Sequence, residues 1–270
     1  MPSPRTRFVL VAAAALTLVA PLTSSSAGAA TMNTAHAGHS AASARIPADD
    51  PEFTPAQVLA GVQQASTSDT QVNTEPHINT MTRDMNVNVY QPVPGIYSYT
   101  SSLAVDDDGS DPDSDPDHQD QTTFQDDDGN QLAAHHVPYF VLGDDCWDQV
   151  SPCPHFFYQE HDIQGLQFAL MFYNGQVIGS IFGDTQTGND QTTSDNDSRE
   201  LGEASVKAAS LLGIPDSGID GGVDNGVTVV IFSGPDWVVS GTNDNLNDNV
   251  QALVTKALNT LGNSLGLSSS

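Results

Sequence analysis

The alternation of apolar and polar positions is sharpest in LQFALMFYNGQVIGSIFGD, residues 166–184, where two apolar runs flank Asn174-Gly175. Asn-Gly is the pair preferred where both central residues of a tight turn need positive φ, so the stretch predicts a β-hairpin. Its second strand, Gln176 to Phe182, delivers Asp184 to the strand's end. MNVNVYQPVPGIYSYTSSLAV, residues 85–105, alternates Val with Asn and then clusters aromatic residues around Pro94-Gly95, which predicts strands interrupted by a turn. VPYFVLG (137–143) and GVTVVIFSG (226–234) are short apolar runs with the pattern of buried strands.

Three segments carry helical spacing instead. TPAQVLAGVQQAS starts with a Thr cap and a Pro, then places Val58, Leu59 and Val62 on one side. Asp197 to Glu200 spell D-x-x-E, a variant capping box, ahead of Leu201, Ala204, Ala208, Leu211 and Leu212. Gly213 and Pro215 would stop that helix. LNDNVQALVTKALNTLGNSLG (246–266) reads as one C-terminal amphipathic helix. The elements together predict a β-rich core with two or three helices, in one domain from about residue 54 to 266. DDDGSDPDSDPDHQDQTTFQDDDGNQ (106–131) holds too many Asp and Pro residues for regular structure and reads as a loop.

The N-terminus has Arg5 and Arg7 before an apolar run from Phe8 to Ala20, followed by small residues ending Ala27-Gly28-Ala29. This is the pattern of a secretory signal peptide over residues 1–29, and the run is too short to span a bilayer. Residues 30–53 are small, polar and Pro-containing and read as a disordered tail, in which His36 and His39 are weak metal candidates at best. We therefore expect a secreted, extracellular monomer that does not engage a membrane. In an oxidising compartment the two cysteines, Cys146 and Cys153, are expected to pair; a zinc site using His155 and His161 would lack a second cysteine pair.

Lys and Arg number 7 against 34 Asp and Glu, a formal charge of −27, and loss of the leader would remove two arginines and no acid. Nucleic acid is excluded as a partner by sign. A polycation would be attracted by the summed field, while adaptation to a salty or acidic habitat would need no ligand at all.

Only five of the 34 acids are glutamates, and Glu203 stands at the expected start of a helix shortly after Asp184. Cleavage of a glycosidic bond needs one carboxylic acid to protonate the leaving oxygen and one carboxylate to activate water or attack the sugar. Spacing alone does not select these two, since acids at strand ends and helix starts commonly serve turns and dipoles.

The motifs FGD, GEAS followed by LLGI, and GVTVVIFSG together resemble the signature of the glycoside hydrolase family 75 chitosanases. VNVYQPVPGIYSYTSSLAVDDDG resembles the strand leading into the family's Asp-rich D-x-D-G segment, and VPYFVLG its central strand; the likeness spans roughly residues 85–262. It implies an endo-acting hydrolase of the β-1,4 linkages of chitosan, working with inversion and without a cofactor. Asp184 and Glu203 are the implied catalytic pair. Asp106, Asp108 and Asp111 are the implied substrate-binding acids. By analogy the fold is mainly β, a small closed six-stranded barrel of double-psi type with peripheral helices, with an α+β sandwich as the alternative.

We expect Glu203 to be the general acid and Asp184 the general base, although a helix N-terminus would lower the pKa of Glu203 and work against the first role. The polar stretch between the two motifs is longer than the family pattern, and Asp190, Asp195 and Asp197 within it are expected to be solvated. Tyr173 and Trp147 are further candidates for sugar stacking. A calcium reading of the Asp-rich loop lacks the closing Glu of an EF-hand. The rival readings are a non-catalytic acidic protein that binds polycations or calcium through that loop, and a glycosidase for neutral β-glucan.

Overall fold

The computed structural model describes residues 51–144, 146, 149–186 and 199–269. The leader, most of the expected tail, Trp147 and the polar stretch with Asp190, Asp195 and Asp197 lie outside the described residues. Helix α1 (Pro55–Ala65) begins with a full capping box, Thr54 and Gln57 each bonding the other's backbone. Phe53, one residue ahead of that cap, is buried and fills the space that the missing Cβ of Gly262 leaves.

The architecture is mainly β. Strands β1 (His77–Asn79), β2 (Met85–Val87) and β8 (Glu200–Leu201) form a small side sheet in the order β2-β1-β8. Six longer-range partners close a barrel: β4 (Ile96–Asp106), β5 (Tyr139–Gly143), β6 (Phe168–Tyr173), β7 (Gln176–Gln186), β9 (Glu203–Ser205) and β10 (Val223–Phe232). Their hydrogen-bonded order is β10-β6-β7-β5-β9-β4, and β10 pairs with β4 to complete the ring. Two of the contacts, β4 with β9 and β5 with β7, are parallel, and the others antiparallel. Strand β3 (Val89–Val93) pairs antiparallel with the first part of β4 through the turn at Gly95. The α+β sandwich is therefore replaced by a closed barrel.

Because side chains alternate along a strand, each strand feeds two apolar clusters. One takes Tyr97 and Tyr99 from β4, Phe140 and Leu142 from β5, Met171 from β6, Phe182 from β7, Ala204 from β9 and Ile231 from β10. The other takes Tyr139, Val141, Leu170, Ile181 and Val230 from the opposite faces and joins them to α1, α3 (Leu246–Ala252) and α4 (Val254–Ser264). Helices of this length cannot fit within six strands, so the second cluster covers the barrel's outside. The expected single C-terminal helix is two, parted at Leu253, which lets both segments follow the curved outer wall.

The Asn174-Gly175 hairpin forms as the sequence predicts, with φ of 45° and 81°. The helix expected from Leu201 does not. Residues 200–205 are extended, and α2 (Val206–Leu212) starts later, capped by Ser205 rather than by the D-x-x-E box. Long-range pairing decides this: Ile78 and Asn79 claim Glu200 and Leu201, and Ala104 and Val105 claim Glu203 and Ala204. Gly213 ends α2 in the left-handed conformation, as expected.

Candidate active site

Asp184 and Glu203 reach the same cleft because of two irregularities in the sheet. Phe140 pairs with Phe182, but the next pair is Val141 with Asp184, so Gly183 is an extra residue in β7. That bulge turns Asp184 from the inner face, where Phe182 packs, to the outer face beside Val141. Asp184 is consequently inside β7, which runs on to Gln186, and not at its end. The bulge needs glycine, since a Cβ on Gly183 would collide with the side chains of Tyr139 and Leu132.

On the other side of β5, Phe140 pairs with Ala204, which brings Val141 next to Glu203 one step along. Gly202, at φ 116°, passes so close to Ser101 and Ser102 of β4 that no side chain fits there. Ser205 Oγ then donates to Val137 O at 2.8 Å and accepts from Tyr139 N, fixing the start of β5, the end of β9 and the cap of α2 at one point. Glu203 lies in a strand, two residues before the cap, outside the first turn of the helix.

The cleft holds about 480 Å³ and is lined by four acids, Asp106, Asp108, Asp184 and Glu203, with Val141 in its floor and Gln119, Gln121 and Gln186 among the polar walls. Asp184 is mostly buried and accepts three hydrogen bonds on Oδ1: from Thr123 N at 2.8 Å, Thr123 Oγ1 at 2.7 Å and Thr185 N at 2.7 Å. Burial pushes its pKa up and these donors oppose the shift. Among the described residues, Glu203 has no comparable set of donors resisting its shift. Burial first, then the charges of Glu200, Asp184 and Asp108, push it up to about 8. The expected conflict with a helix dipole is not met, because Glu203 lies in β9 ahead of the cap of α2.

Asp106 is buried at 7% exposure at the end of β4, and its carboxyl is driven well above the usual range by burial and then by Glu203, Asp184 and Asp108. Asp108 is raised to about 6, chiefly by burial. Asp111, the third expected substrate ligand, does not line the cleft; its Oδ2 accepts from the backbone N of His135. Tyr173 at the end of β6 does not line it either. Sequence reasoning passed over Thr123, which sits among the acids of a loop with no periodic or motif signal. Cys146 and Cys153 form the expected disulfide, Cα atoms 5.8 Å apart.

A closed barrel presenting a polar cleft with two buried carboxylates in different electrostatic surroundings fits a carbohydrate-cleaving hydrolase. The chain belongs to glycoside hydrolase family 75: the family model described as fungal chitosanase of glycosyl hydrolase group 75 matches residues 103–267, from β4 to the C-terminal helix. It is accordingly a chitosan-degrading glycoside hydrolase. No curated protein matches the chain as a relative. Among the described residues no helix is long and apolar enough to cross a membrane.

Proposed function

We propose that this chitosanase is secreted and cleaves internal β-1,4 linkages of chitosan with inversion, with Glu203 as general acid and Asp184 as general base. The observation that carries the reading is the row Asp184–Val141–Glu203 across three adjacent strands. Strands lie about 4.8 Å apart, so the two backbones are separated by roughly 9–10 Å. Side chains that lean toward each other over Val141 would place the carboxyl groups within the range of about 6.5–9.5 Å that leaves room for a water in an inverting pair.

The electrostatics divide the roles. A carboxyl raised to about 8 keeps its proton at neutral pH and can give it to the leaving glycosidic oxygen. Asp184 is held toward ionisation by Thr123 and Thr185, all on Oδ1, which leaves Oδ2 to take a proton from the attacking water. Proton loss from Glu203 and proton gain by Asp184 balance over the turnover. Asp106, which burial and then its acidic neighbours push toward the neutral form, is suited to meet a sugar hydroxyl; Asp108, ionised above about pH 6, attracts a glucosamine ammonium.

Reducing-end release from chitosan, chitin and carboxymethyl cellulose tests the reading. Chitosan should be the preferred substrate, and Asp184→Asn and Glu203→Gln should each lower its turnover at least about 10²-fold with the fold retained. A well-folded variant with near wild-type turnover would remove that residue from its role. Activity on the neutral glucan alone would favour the β-glucan hydrolase instead.

A further inference from the structure

We propose that the neck of the Asp-rich loop is a binding site for a divalent transition-metal ion, held by Asp107, Asp108 and His118. One potential ligand atom from each of the three lies within 4.8 Å of the others. Proximity among acids would not suffice, but the partners of two buried atoms point the same way. His118 Nδ1 is 2.8 Å from the backbone carbonyl of Asp107. A carbonyl only accepts, so Nδ1 carries a proton, and in the neutral ring Nε2 carries the lone pair. The His118 side chain is 9% exposed, and its Nε2 is buried without a hydrogen-bond partner. The Asp107 side chain is 8% exposed, and its Oδ2 is likewise buried without a partner. An imidazole whose protonated nitrogen is fixed on a backbone carbonyl is the usual posture of a metal-ligating histidine. With the ring neutral and the carboxylate ionised, both orphaned atoms carry lone pairs that a bound cation would take up.

The neck is also built to hold its shape. Gly109 N donates to Gln119 O at 2.8 Å, and Gln119 N donates to Asp108 Oδ1 at 2.6 Å, so the two ends of the loop are tied beside the three ligands. Asp120 lies with Oδ1 3.5 Å from His118 Nε2, outside hydrogen-bond geometry, and its exposed side chain is free to turn in as a fourth ligand. One imidazole with two or three carboxylates suits zinc or a neighbouring first-row ion better than calcium, which takes six to eight oxygens. Asp108 also lines the substrate cleft, so an ion here would neutralise one of its four acids.

Calorimetric titration of zinc into the chelator-treated protein tests the site without reference to catalysis. Wild type should show a site that His118→Gln and Asp107→Asn each weaken at least about tenfold. Gln keeps an N–H for the Asp107 carbonyl but offers no ring nitrogen, so the zinc-free melting temperature of His118→Gln should stay near wild type. His135→Ala, and His36→Ala with His39→Ala, should leave the titration unchanged, and calcium should bind more weakly and without dependence on His118. Absence of a zinc site in wild type would overturn the proposal. So would a site that survives both His118→Gln and Asp107→Asn, or one abolished by the control substitutions.

Discussion

Thr123 governs the charge state of Asp184 more than any other side chain in the cleft. It supplies two of the three donors to Oδ1, one from the backbone and one from the hydroxyl. Thr123→Val removes only the hydroxyl and nearly preserves volume. The carboxylate loses a partner, its pKa rises, and the acidic limb of kcat/KM should move to higher pH. On the proposed roles the alkaline limb reports Glu203, whose carboxyl burial pushes up to about 8, and should not move. Superimposable profiles for wild type and variant would show that the hydroxyl does not tune the base. Asp184 and Glu203 were legible as a pair through the motifs around them. Thr123 was not, because its importance comes from a bond across 61 residues of chain that no local pattern encodes.

At the level of elements, the hairpin at Asn174-Gly175 and the capped α1 were legible because short-range chemistry alone specifies them. The segment from Glu200 to Ser205 was not, because its leucine and alanine spacing suits a helix while its actual state depends on β1 and β4. The same non-local pairing explains the glycines ahead of both acids. Gly183 makes the bulge that turns Asp184 outward, and Gly202 lets β9 press against β4. Gly202→Ala combines a disfavoured φ with a collision against Ser101 and Ser102, and should cost about 1–3 kcal/mol. For a domain of this size each kcal/mol lowers the melting temperature by roughly 2–4 °C. Turnover should fall as well, since Glu203 is the next residue. An unchanged melting curve would mean that β9 has slack that the close packing argues against.

For the whole molecule, acidity has two separate consequences. The first concerns stability. Unfolded, Glu203 titrates near 4.5; folded, near 8. Between these values the folded state binds more protons than the unfolded state, so stability falls as pH rises from about 4.5 to about 8 and then levels. Asp108 adds a loss between 3.8 and about 6. The melting temperature should therefore be higher at pH 5 than at pH 8, and Glu203→Gln should flatten the upper part of that slope; a melting temperature that rises from pH 6 to 8 would contradict the burial of these groups. The second concerns the substrate. Attraction between a chain of formal charge −27 and a polycation weakens as added salt shortens the Debye length, from about 10 Å at 0.1 M to about 3 Å at 1 M. KM for long chitosan should rise with salt while kcat holds; a flat KM would leave the charge as an adaptation to habitat.

Strand β5 sets the spacing between its two neighbours, and the stereochemistry of the first product reports on that spacing. Proton NMR of a chitosan oligomer during the first minutes of hydrolysis, before mutarotation, distinguishes the anomers at the new reducing end. A water admitted between Asp184 and Glu203 gives the α-anomer first from a β-linkage. Initial appearance of the β-anomer would mean retention, and would contradict the assignment of Asp184 as a base acting through water.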